Sequence, residues 1–99
     1  MRRAQFSPAA KDDLRGIISY TVWMWGVDQA ARYRDDLQAF CNLVAAQPTM
    51  GRLREELGPG VHRIEWSRHV IYYRPLRTGV RVLRILHDRM LASRRDMEN

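Results

Sequence analysis

The chain has 99 residues, 45% of them hydrophobic, and a formal net charge of +6. That length suits one domain with a modest core and is too short for two. No apolar run approaches the ~18 residues of a spanning helix, and MRRAQFSP lacks the apolar segment of a secretory signal, so a cytoplasmic protein without membrane contact is expected.

Residues 1–6 alternate Arg2, Ala4 and Phe6 against Arg3 and Gln5, which predicts a short strand. Ser7-Pro8 follows. Serine is a good N-cap and proline suits the first helical position. Asp12 and Asp13 then lie early in the helix, where its dipole favours negative charge. Leu14, Ile17, Ile18, Thr21 and Trp25 fall on one apolar face, so helix 1 is predicted over Pro8–Trp25 with Trp25 on the core stripe. Trp23 lies about 160° around the helix from it, at ~100° per residue. It either tucks against a loop or anchors a partner helix.

Gly26 should end helix 1, and Asp28 should cap helix 2 after a link of two or three residues. Ala30, Tyr33, Leu37, Phe40 and Val44 give helix 2 its stripe, and Pro48 ends it near Gln47. So short a link forces an antiparallel helical hairpin. Cys41 follows Phe40 in the apolar pattern and reads as a buried structural thiol. As the single cysteine it excludes an internal disulfide and a C-x-x-C zinc site.

Residues 48–60 (PTMGRLREELGPG) form a long loop. Three strand signals follow: Val61–Glu65, His69–Arg74 and Val80–His87, separated by turns short enough for an antiparallel meander. In the second of these, His69, Ile71 and Tyr73 oppose Val70, Tyr72 and Arg74. In the last, Val80, Val82, Arg84 and Leu86 oppose Arg81, Leu83, Ile85 and His87. Both faces of that strand are partly apolar, which places it centrally. One face would pack on the hairpin, and the other is left for a partner to cover. Residues 90–99 form a polar tail, a short helix or a flexible end. The order is β-α-α-β-β-β: one α+β domain over residues 1–99, its N-terminal helical hairpin packed on a small antiparallel sheet.

The basic residues are sixteen arginines and the single Lys11. Arginine carries a planar fork that grips carboxylates and phosphates. Residues 1–51 hold six basic and five acidic groups, and residues 52–99 hold eleven and six. The second half is therefore where an acidic partner or nucleic acid would bind.

The stretches FSPAAKDDLRGIISY, WGVDQAARYRDDL, PTMGRLREEL with GVHRI after it, HVIYYR and VRVLRILHDRM occur in that order between about Gln5 and Met90. Together they resemble the RelE/ParE toxin superfamily of bacterial toxin–antitoxin systems, and within it the ParE branch. The resemblance implies a hairpin on a sheet, a role in plasmid stabilisation and a toxin encoded beside an antitoxin. That antitoxin is a ParD-like ribbon-helix-helix protein that binds DNA and wraps the toxin with acidic and apolar residues, so the toxin meets DNA only through it. ParE members act on DNA gyrase. RelE-type members cut messenger RNA on the ribosome.

The two activities ask for different residues. A metal-independent ribonuclease needs an acid or base and cations on the phosphate. Arg63, Arg68 and His87, with Glu55 or Glu56, are the available set, but Asp88 beside His87 would repel phosphate. A protein that acts by binding needs arginine and aromatic anchors. The expected set is Trp23, Arg68, Tyr73, Arg74, Arg84, Met90, Arg89, Arg94 and Arg95. His62 and His69 read as strand-surface residues. Arg84, in an apolar strand, should find a carboxylate or carbonyl partner if buried, with Glu65 or an antitoxin carboxylate as candidates. The reading favoured is a non-catalytic gyrase inhibitor that needs neither cofactor nor metal and forms a hetero-oligomer with its antitoxin. A relative of this fold that binds an antitoxin without toxicity is a further alternative.

Overall fold

A computed structural model describes residues 2–98. Its elements are β1 (Arg3–Phe6), α1 (Pro8–Trp25), α2 (Val27–Ala46), β2 (Arg52–Leu53), β3 (His62–Trp66), β4 (His69–Leu76) and β5 (Gly79–His87). Short 3-10 turns occupy Pro48–Met50, Glu55–Leu57 and Arg94–Met97. The architecture is α+β, as predicted. The sheet has five strands in the order β1-β5-β4-β3-β2.

Two features of the sheet differ from expectation. β1 runs parallel to β5, so the sheet is mixed rather than antiparallel. Parallel pairing requires a long crossover, and the helical hairpin lies within the intervening chain. The long loop also contributes β2, which pairs antiparallel with β3. Two residues are too few to show a period in sequence.

Ser7 joins the sheet to the hairpin. Its hydroxyl accepts from the Ala10 backbone N–H at 3.0 Å as the N-cap of α1 and donates to the Leu83 carbonyl at 2.8 Å. Its own N–H donates to the Val82 carbonyl at 2.9 Å. The helix therefore starts where β1 stops pairing with β5. At the other end the link is the single residue Gly26, and it, not Asp28, precedes α2. Gly26 sits at φ +91°, a region glycine adopts without a side-chain clash.

Ala10, Leu37, Cys41, Val44 and Ala45 from the hairpin pack on Ile71, Tyr73, Val80, Val82 and Ile85. Burial pushes the Cys41 thiol up to about 12, which leaves it inert at neutral pH. Trp25 is a correction: it is 68% exposed. The last buried residue of α1 is Thr21 and the first of α2 is Ala30. The apolar stripe keeps its period to the end of α1, but its last turn has nothing to pack against.

The second face of the sheet is also covered, contrary to expectation. Leu57, Val61, Val70, Tyr72, Leu83 and Leu86 form a second cluster there, closed by Met97 from the tail. The predicted faces of the last strand need a matching correction. Tyr72 pairs with Arg84, but the next residue, Tyr73, pairs with Val82, so Leu83 is an extra residue in β5. This bulge shifts the alternation by one position. Val80, Val82 and Ile85 face the helices, and Leu83 and Leu86 face the tail.

Candidate functional site

Arg84 was expected on the partner surface, paired with Glu65 or with an antitoxin. The bulge turns it to the tail side, beyond the end of β1. Its guanidinium donates to both oxygens of Asp13, Nε to Oδ2 at 2.8 Å and Nη2 to Oδ1 at 3.0 Å. The same carboxylate accepts from the Ile85 N–H at 2.9 Å. Nη1 reaches the Asp96 carbonyl at 3.3 Å. The hydrogen bond to Asp13 outweighs burial and holds the Arg84 guanidinium above its ordinary pKa. Arg84 is thus a clamp joining α1, β5 and the tail, and its fork is already occupied. Glu65 lies 3.7 Å from Arg63 instead, on β3.

Tyr73 is a second correction. It is fully enclosed. Its hydroxyl donates to the Pro48 carbonyl at 2.7 Å and accepts from the Gly51 N–H at 2.9 Å. A Cβ on Gly51 would stand 2.5 Å from that oxygen, so glycine is needed there. Tyr73 ties the long loop to the sheet and offers nothing to a partner.

The remaining predicted contacts divide among three places. Trp23 is alone at the hairpin tip. Arg68, Arg89 and Met90 are exposed around the open end of β4 and β5, where Asp88 N–H donates to the Arg68 carbonyl at 2.9 Å. Arg74 and Arg94 meet on the tail side, and the exposed Arg95 shares the tail turn with Arg94.

Of the residues weighed for ribonuclease chemistry, Arg68 and His87 share one end of the sheet, and the loop glutamates lie apart from them. His87 sits opposite His69, their rings 5.8 Å apart. His87 Nδ1 accepts from the Arg89 N–H at 3.2 Å and lies 3.0 Å from an Asp88 oxygen. Burial, and then the neighbouring His87, hold His69 below its usual pKa, while Asp88 and Asp13 pull the other way. Glu55 accepts from the Gly60 N–H, beside the Pro59 carbonyl that holds Arg74. From His69 to Arg74 along β4 is about 16 Å at ~3.3 Å per residue. The loop glutamates therefore stand at the opposite end of the sheet from His87. Glu56 is engaged by Arg54, which lowers its pKa. Among the described residues, no group of three or more His, Cys, Asp or Glu could hold a metal ion.

The hairpin tip is larger than the sequence reading allowed. Trp23 is 78% exposed, and Tyr20, Val22, Met24, Trp25 and Val27 are exposed with it. The uncharged run YTVWMWGV was the available signal. The period of the α1 stripe hides that signal, because it puts Trp25 on the core side.

A two-helix hairpin over a five-stranded sheet, its Arg/Asp clamp and its aromatic tip can be compared with known proteins. The family described as "ParE toxin of type II toxin-antitoxin system, parDE" matches residues 4–92. The chain belongs to the ParE toxin family. It is 42% identical over 94 residues to Toxin ParE1 of Caulobacter vibrioides, covering 93% of this chain and 95% of that one. It is 39% identical over 89 residues to Toxin ParE1 of Mycobacterium tuberculosis, covering 89% and 91%. Among solved structures, "Chromosomal ParDE TA system from P. aeruginosa" superposes with a TM-score of 0.70 at 23% identity, covering 88% of this chain and 96% of that one. That likeness supports the ParE fold. No helix among the described residues is long and apolar enough to cross a membrane.

Proposed function

We propose that this ParE-family chain is a cytoplasmic toxin that inhibits DNA gyrase by binding it, and that a ParD-like ribbon-helix-helix antitoxin neutralises it. The observation that carries the binding reading is the hairpin tip. Trp23 and Trp25, 78% and 68% exposed, stand with Met24 in the last turn of α1. Exposed tryptophan on a preorganised element is the usual composition of an energetic anchor in a protein interface. The dispersal of His87, Arg63 and the loop glutamates favours binding over acid–base chemistry.

A supercoiling assay on purified gyrase tests the target. Inhibition at micromolar toxin, relieved by the antitoxin and retained by His87→Ala, is the expected result. No inhibition, together with messenger RNA cleavage in a translation extract that His87→Ala abolishes, would establish the ribonuclease reading instead.

A further inference from the structure

The β4–β5 register sets Arg74 directly opposite Arg81. Like charges in such a cross-strand pair repel. A third cation, Arg94, lines the same cleft from the tail turn. Glu98 also lines it, yet among the described residues no carboxylate is ion-paired with Arg74, Arg81 or Arg94. The cleft encloses about 400 Å³, and buried Leu57, Leu83 and Met97 form its apolar floor.

Arg74 is held in place, and the turn that carries Arg94 is fixed. Arg74 Nε donates to the Pro59 carbonyl at 2.7 Å. A Cβ on Gly58 would lie 3.2 Å from an Arg74 terminal nitrogen, so that guanidinium rests over the glycine. The tail turn carrying Arg94 is fixed through Asp96. The Asp96 carboxylate accepts from the Ser93 N–H at 2.8 Å, and its carbonyl accepts from Arg84.

We propose that this cleft binds an aspartate or glutamate side chain of a partner polypeptide, seated with an apolar neighbour on the floor below. A guanidinium fork suits carboxylate and phosphate alike. Two features select the peptide. The floor rewards an aliphatic side chain beside the anion. Glu98 at the rim repels the succession of charges a nucleic-acid backbone would bring, while one carboxylate can sit among the three arginines. The site deepens the partner-binding reading and rests on it only in taking the partner to be a polypeptide.

The test is a calorimetric titration of the whole protein at low salt with a short acetylated, amidated peptide alternating glutamate and leucine. The comparison ligands are its glutamine counterpart, an oligothymidylate of equal charge, and inorganic phosphate. The glutamate peptide should bind, with the glutamine peptide weaker by roughly tenfold or more. The double variant Arg81→Gln/Arg94→Gln should lose a similar factor. Arg95→Gln, on the same turn but outside the cleft, should not. Equal binding of the two peptides, an unaffected double variant, or tighter binding of oligothymidylate or phosphate would overturn the proposal. Because the titration contains no gyrase, it can fail while the supercoiling result stands, and the reverse.

Discussion

At Gly79 the backbone sits at φ +139°, and a Cβ there would lie 1.9 Å from the Arg3 carbonyl oxygen. Both the dihedral and the space exclude a side chain where β5 begins beside β1. Gly79→Ala should therefore cost at least about 3 kcal/mol, read by urea denaturation. An unchanged midpoint would mean that β1 does not pair there. A second residue-scale effect concerns His69. Its folded pKa lies below the ordinary 6.5, chiefly through burial. Below that value the unfolded chain takes up a proton that the folded chain resists, so stability falls as the solution becomes more acidic. The melting temperature should decline between about pH 7 and pH 5, and His69→Gln should flatten part of the decline. A pH profile identical in the two proteins would assign the acid sensitivity elsewhere. At this scale the sequence was legible in part. It showed that a buried Arg84 needed a carboxylate or carbonyl, but the choice of Asp13 over Glu65 required knowing where α1 crosses β5.

The helical hairpin shows how an element can be correct in extent and wrong in environment. Ser7-Pro8 and Gly26 marked α1 to the residue, because caps are local chemistry. The faces were harder. A helical stripe states which residues share a side, not whether anything lies opposite. The tip of the hairpin extends past its packing partners, leaving Trp23 and Trp25 in solvent. Exposed substitutions away from caps and clamps shift stability by only about 0.5 kcal/mol. Trp23→Ser and Trp25→Ser should accordingly melt close to the parent protein. If the tip anchors the antitoxin or gyrase, they should also lose roughly tenfold or more in affinity for it. Full affinity in both variants would remove the tip from the interface. β5 failed in a different way. One inserted residue at Leu83 reversed the faces after it, and period-two reading has no means of detecting a bulge.

For the molecule as a whole, the notable quantity is the excess of cationic charge in residues 52–99. Among the described residues, the ion pair of Arg84 with Asp13 is the most enclosed, the Arg84 side chain 22% exposed and that of Asp13 14%. The pairs Arg54–Glu56 and Arg63–Glu65 leave their carboxylates open to water and contribute little. The surplus is therefore spent little on stability. Binding to an acidic partner should weaken steadily as salt rises and the screening length falls below ~10 Å. Affinity independent of salt would place the dominant contact at the uncharged hairpin tip. The second apolar face of the sheet belongs to this scale too. It was expected to await a partner, but the 3-10 turns at Glu55–Leu57 and Arg94–Met97 cover it with Leu57 and Met97.

The sequence by itself determined the order of the two helices and the four longer strands, both ends of α1, the buried thiol, the cationic second half and, through resemblance, the family. Each is written in local spacing, capping chemistry or composition, which need no knowledge of distant neighbours. Only the tertiary structure decided the parallel pairing of β1, the faces of β5, the enclosure of Tyr73, the Asp13–Arg84 clamp and the meeting of Arg74, Arg81 and Arg94 at one cleft. These depend on strand register and on where one element ends against another. A single residue of slip changes which side chains meet, and no local pattern records it.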